Sequence, residues 1–198
     1  MKIRKLHKLV GIILLLPFIA WAVTGLVFYI KPGYAGAYEM LTPKTYPLDG
    51  STSIRPDTSW REFRCIRTVL GDHLLARTGA GWIHLNPSTM QPRRAPTPDE
   101  VKLLLADAFT AHPDRYGTIT VISDSSIQTD TGVEIILDWN TLSLQQRGKD
   151  TDRIDLLYKI HYLQWTGIRS VDKVLGLVGI VLVIVLTWLG ARLALKGN

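Results

Sequence analysis

The chain has 198 residues, 46% of them hydrophobic, and a formal net charge of +6. A basic chain often binds nucleic acid, but the placement of the charge argues against that partner. All 17 acidic residues lie between Glu39 and Asp172, and residues 31–172 hold 16 Lys and Arg against them, so the central stretch carries a net −1. The positive excess is confined to Lys2, Arg4, Lys5 and Lys8 at one end and Lys173, Arg192 and Lys196 at the other. No nucleic-acid partner is expected. Cys65 is the lone cysteine, which excludes an intrachain disulfide and any multi-cysteine metal or redox site within one chain.

Leu9–Ile30 is a run of 22 residues without a charge, and Val174–Ala191 is a run of 18. As helices they would be about 33 Å and 27 Å long, against a hydrocarbon core of roughly 30 Å. Both are read as membrane spans. The four basic residues before the first span, and Arg192 and Lys196 after the second, set both termini in the cytoplasm. Residues 31–172 are then extracytoplasmic. Arg169 and Lys173 run against this rule, with Asp172 between them. A cleaved signal peptide is the competing reading, and Ala35-Gly36-Ala37 has the small residues of a cleavage site. Against it, an h-region covers about 7–15 residues, fewer than this run.

Between the spans, residues 31–59 carry Pro32, Pro43, Pro47 and Pro56 and read as an irregular linker. Strands are predicted over Arg64–Leu70, His73–Thr78 and Gly81–Leu85, joined by tight turns in an antiparallel meander. Thr97-Pro98-Asp99-Glu100 is a capping box with Pro at the first helical position. The helix it starts presents Val101, Leu104, Leu105 and Ala108 on one face and ends near His112, before Pro113. Strands follow over Ile119–Ile122, Val133–Trp139 and Leu142–Arg147. Leu85–Met90 and Leu137–Leu142, 52 residues apart, both read as strand, polar turn, strand. Asp152–Trp165 is a helix whose Ile154, Leu157, Tyr158, His161 and Trp165 form a stripe suited to the headgroup region. Ser170-Val171-Asp172 starts the second span.

Leu6-His7 with Gly11 at the first span, the Leu137-Asp138 turn, Ile160-His161 near Trp165-Thr166-Gly167, and Gly176-Leu177-Val178-Gly179 together resemble the PepSY-associated transmembrane proteins. The resemblance implies an α+β architecture: two transmembrane helices flanking an extracytoplasmic PepSY-like domain of antiparallel strands and one or two helices. The corresponding divisions are 1–30, 31–151 and 152–198. In that family the turn reads Asp-Pro-x-Thr-Gly. Here Leu142 and Met90 stand at the glycine positions, and an altered turn is expected because such side chains resist positive φ. The implied location is a bacterial inner membrane, with the central domain in the periplasm.

Two functions follow from the resemblance. One is an accessory binding or regulatory module, engaging a membrane or periplasmic protein or a second copy of itself. The other is a haem-bearing electron carrier, because larger members with four or more spans resemble ferric-siderophore reductases. His7 and His161 occupy the family-like positions and are the candidate cofactor ligands. They fall at opposite membrane faces, so one haem iron needs a second chain. Packing or headgroup contact is the plainer role for each.

His73 and His84, on adjacent predicted strands, are a weaker metal candidate, since two ligands are few for zinc. Asp124, Asp130, Glu134 and Asp138 are carboxylates near one hairpin and equally suit surface turns. Arg93-Arg94 suits an anionic partner or an exposed turn. No catalytic residues are assigned. Gly11, Ala22 and Gly25 in the first span, and Gly176, Gly179, Thr187 and Gly190 in the second, provide small faces for close helix packing.

Overall fold

The computed structural model describes residues 2–48, 54–123 and 126–195. The fold is α+β, with two long apolar helices at the termini and antiparallel sheets between them. It divides into two compact units, Met1–Tyr34 with Asp150–Asn198, and Ala35–Lys149.

The first unit is helical. It contains α1 (Lys2–Ile30), α5 (Lys149–His161, from its second residue onward) and α6 (Arg169–Leu195). By length and composition α1 and α6 can each cross a bilayer. They pack antiparallel, and glycine makes the approach close. A β-carbon on Gly11 would meet Leu186 Cδ1 at 3.7 Å, and one on Gly190 would meet His7 Cε1 at 3.3 Å. Gly25 faces His161 of α5 instead, and Gly176 faces open space. The helix expected over 152–165 begins and ends earlier. Leu163 turns to positive φ, and the Trp165 indole N–H donates to the Ile160 carbonyl at 3.0 Å, satisfying an end-of-helix acceptor.

The second unit carries two sheets. Strands β1 (Glu62–Thr68), β2 (Gly71–Thr78) and β3 (Gly81–Leu85) form one, in that order. Strands β4 (Ile119–Ile122), β5 (Ile127–Thr129), β6 (Glu134–Asp138) and β7 (Ser143–Arg147) form the other. The first strand ends two residues before its predicted limit because Thr68 pairs with Gly71, leaving Val69 and Leu70 as the hairpin loop. Residues 31–48 are less irregular than expected: α2 (Tyr34–Ala37) interrupts them and Tyr46 bridges to Arg67. Part of that predicted linker, residues 49–53, lies outside the described residues.

Helix α3 (Pro98–Phe109) serves both sheets. Its capping box forms as predicted: the Thr97 hydroxyl accepts from the Glu100 N–H, and Glu100 accepts from the Thr97 N–H. It ends at Phe109 rather than near His112, and the one-turn helix α4 (Pro113–Tyr116) follows. Val101, Leu105, Ala108 and Phe109 pack against Ile127, Ile135 and Leu144 of the four-stranded sheet and against Val133 just before β6. Leu104, one position round the helix, joins Leu75 of β2 and Leu142. On β2 the period of two separates Leu74 and Ala76, which face Trp60 and Met90, from His73 and Leu75, which face the other way.

The two hairpin turns repeat each other in geometry. Asn86 Oδ1 accepts from the Ser88 N–H and Asp138 Oδ1 from the Asn140 N–H, each at 2.9 Å. The expected departure from the glycine turn does not occur: Met90 has φ 58° and Leu142 φ 50°. Tertiary packing holds both side chains in place despite the local cost, since Leu142 is buried and Met90 is partly buried against Leu74 and Leu85.

Replacing Leu104 with alanine should cost about 2–5 kcal/mol, because it removes the contact shared by both sheets. Thr97→Ala should cost about 1 kcal/mol through loss of the cap, with Thr97→Ser near neutral. Urea denaturation followed by tryptophan fluorescence measures both.

Candidate functional site

Two clusters around histidine stand out, one in each unit. In the helical unit His161 ends α5 against α1. Its Nδ1 lies 2.8 Å from Thr24 Oγ1. Thr24 is buried and sits 2.7 Å from the Ala20 carbonyl one turn earlier. The Thr24 hydroxyl donates its single proton to that carbonyl, so its oxygen accepts from His161 Nδ1–H. In the neutral imidazole that proton sits on Nδ1 and the lone pair on Nε2. Trp21 stacks on the imidazole at 5.5 Å, and Phe28 and Tyr162 meet it edge-on at 5.0 and 5.4 Å. Neither Thr24 nor these rings were singled out for this role from the sequence. The i, i+3, i+7 spacing of Trp21, Thr24 and Phe28 on α1 is the signal that would have found them.

His7 sits elsewhere, against Gly190 near the end of α6, with Nδ1 enclosed and unpartnered. It is 17 residues from Thr24 along α1, or about 26 Å at the helical rise. The structure does not bring His7 and His161 together within one chain.

In the second unit His73 and His84 do meet. Leu75 pairs with His84 across the hairpin, which makes His73 its diagonal neighbour on one sheet face. Both are buried, His73 completely. His84 Nδ1 lies 2.7 Å from the Trp139 carbonyl, His73 Nδ1 2.9 Å from His84 Nε2, and Thr68 Oγ1 2.8 Å from His73 Nε2. A carbonyl can only accept, so each proton in the chain is assigned in turn. His84 Nδ1–H donates to Trp139, His73 Nδ1–H donates to His84, and the Thr68 hydroxyl donates to His73. The Leu70 N–H closes the series onto Thr68 Oγ1 at 3.1 Å.

All four ring nitrogens are thus engaged, and both rings are neutral. Burial, then the Arg93 charge, then His84 push His73 down to about 3, and burial likewise lowers His84. Metal binding would require breaking this chain, and the described residues contain no group of three or more metal-ligating side chains. The pair is a structural clamp joining the β2–β3 hairpin to the turn before β7.

The remaining candidates are also bound into turns. Arg93 donates to the Leu70 carbonyl at 2.7 Å and to that of Asp72, with its guanidinium 6.0 Å from the Trp139 ring. Arg94 forks onto Glu100 with two bonds of 2.7 Å. A cavity of about 350 Å³ opens between these residues and Trp139. Asp130 accepts from the Thr118 N–H and hydroxyl at 2.9 and 2.7 Å, which holds its carboxyl below the usual range. Asp138 caps its turn, Glu134 lies on β6, and Asp124 lies outside the described residues.

A histidine that stays neutral when folded favours folding above its unfolded pKa of about 6.5. The unfolded chain binds the extra proton below that, so stability falls as pH drops from about 6.5 towards about 3, by about 1.4 kcal/mol per pH unit for His73. Urea midpoints between pH 7 and 4.5 should show this slope in the native protein, and His73→Gln/His84→Gln should flatten it. The chain matches no protein-family profile, no curated protein and no solved structure.

Proposed function

We propose that the chain is a two-span inner-membrane protein that holds a PepSY-like module in the periplasm, where it acts as an accessory binding or regulatory subunit. The observation that carries this is the outward surface of the helical pair. Leu16 on α1 is 67% exposed and Leu177 on α6 is 65% exposed, and similar apolar side chains cover both helices. Continuous apolar surface on that scale needs a non-aqueous environment. A core helix of a soluble protein is mostly buried, whereas only 17% and 6% of the most apolar windows of α1 and α6 are buried. The flanking charges orient the pair with both ends in the cytoplasm. In the other unit the buried polar groups are spent on turns and on the histidine clamp, which suits a binding scaffold. Its partner is a membrane or periplasmic protein, or a second copy of this chain.

A second reading is a haem-bearing electron carrier, favoured by one feature. The Thr24 bond leaves His161 Nε2 available, in the manner of metal-binding histidines oriented through the opposite nitrogen. Because His7 is far from it, an iron held by His161 would take its other ligand from a second chain or a partner.

Labelling tests the first reading. In a Cys65→Ala background, Ser88→Cys should react with a membrane-impermeant maleimide in spheroplasts, and Lys2→Cys only after lysis. The reverse pattern, or extraction of the protein by alkaline carbonate, contradicts it. An absorption spectrum after expression with ample haem tests the second. A Soret band that His161→Ala removes or shifts supports it, and no band rules it out.

A further inference from the structure

Three cations gather where the topology expects few. Lys159 on α5, Arg169 at the start of α6, and Lys173 one turn later line a groove of about 1360 Å³ between the two helices. On the membrane reading above, on which this inference rests, they lie on the extracytoplasmic side, against the usual bias of basic residues. None of the three takes part in an ion pair among the described residues. The acid that lines the groove, Asp172, is engaged locally, since its Oδ1 accepts from the Thr166 N–H at 3.0 Å and hydroxyl at 2.7 Å. The groove therefore keeps an excess of positive charge.

Its floor is different. Lys173, Gly176, Leu177 and Ile180 follow i, i+3, i+4 and i+7 spacing and share one face of α6. Leu177 and Ile180 are 65% and 61% exposed. A β-carbon on Gly176 would meet no atom within 4 Å, so the groove is open there. From Lys173 to Ile180 the helix advances about 10 Å, passing from the charged flank into the charge-free run that begins at Val174. Cations at the entrance and apolar side chains in the direction of the bilayer core repeat the order of an anionic phospholipid, phosphate first and acyl chain after. An acidic peptide would use the cations but not a floor that lies within the span.

We infer that the groove between α5 and α6 binds an anionic phospholipid, its phosphate held by Lys159, Arg169 and Lys173 and an acyl chain lying over Gly176, Leu177 and Ile180. A juxtamembrane Lys or Arg strengthens binding of anionic lipid roughly fivefold each. The lipid would fix α5 against α6 at the membrane surface.

Native mass spectrometry of the full chain in mild detergent tests this, with added dioleoyl-phosphatidylglycerol or dioleoyl-phosphatidylcholine. The phosphatidylglycerol adduct should dominate. Arg169→Gln/Lys173→Gln should weaken it roughly twenty-fivefold and leave phosphatidylcholine unchanged. Gly176→Leu should exclude lipid from the groove without striking the protein, and Arg192→Gln, at the other end of α6, should change nothing. Circular dichroism checks that each variant keeps its helices. Equal retention of the two lipids, an unchanged double variant, or displacement by glycerol phosphate overturns the inference. A chain that stays in solution without detergent overturns the membrane reading and the inference together. A membrane-integral chain without headgroup preference overturns the inference alone.

Discussion

The antiparallel contact of α1 with α6 is the constraint on which the helical unit depends. On the proposed membrane reading, lipid offers no hydrophobic drive for two apolar helices to associate, so close packing has to supply it. Gly11 opposite Leu186 and Gly190 opposite His7 permit that approach. With the two helices paired, α5 lies against α1, and His161 is delivered to Thr24, Trp21 and Phe28. The Thr24 hydroxyl that meets it is itself tied back to the Ala20 and Trp21 carbonyls of α1, at 2.7 and 3.1 Å.

The other unit is organised by a polar chain in an apolar setting. A buried polar group costs free energy unless it is paired. The series from Leu70 through Thr68, His73 and His84 to the Trp139 carbonyl pairs every imidazole nitrogen and runs its dipoles in one direction. It ties the three-stranded sheet to the turn between β6 and β7, while Leu104 of α3 ties the same regions through apolar contact. The clamp holds only while both rings are neutral.

Much of this fold was legible in the sequence because the signals are local. The apolar runs gave α1 and α6, the capping box gave α3, and Gly71 and Gly79-Ala80 gave the first meander. Strand β5 was missed, since Ile127–Thr129 is three residues long and offers no periodicity. The turns at Met90 and Leu142 were misjudged because propensity resists positive φ there, and tertiary packing overrides it. The meeting of His73 with His84 was anticipated, but its role was not. Thr68 and the Trp139 carbonyl complete the hydrogen bonding, and a carbonyl 55 residues from His84 leaves no trace in sequence spacing. Likewise Thr24 is 137 residues from His161.

On the proposed reading, α1 and α6 form one antiparallel pair inside a bilayer. Cross-linking in native membranes tests this most directly, with Gly11→Cys and Leu186→Cys introduced together in a Cys65→Ala background. Mild oxidation should give an intrachain disulfide, seen as a faster-migrating monomer on a non-reducing gel. The mismatched pair Gly11→Cys with Gly176→Cys should give none. Only interchain dimers from the first pair, or efficient intrachain closure of the second, would contradict the account.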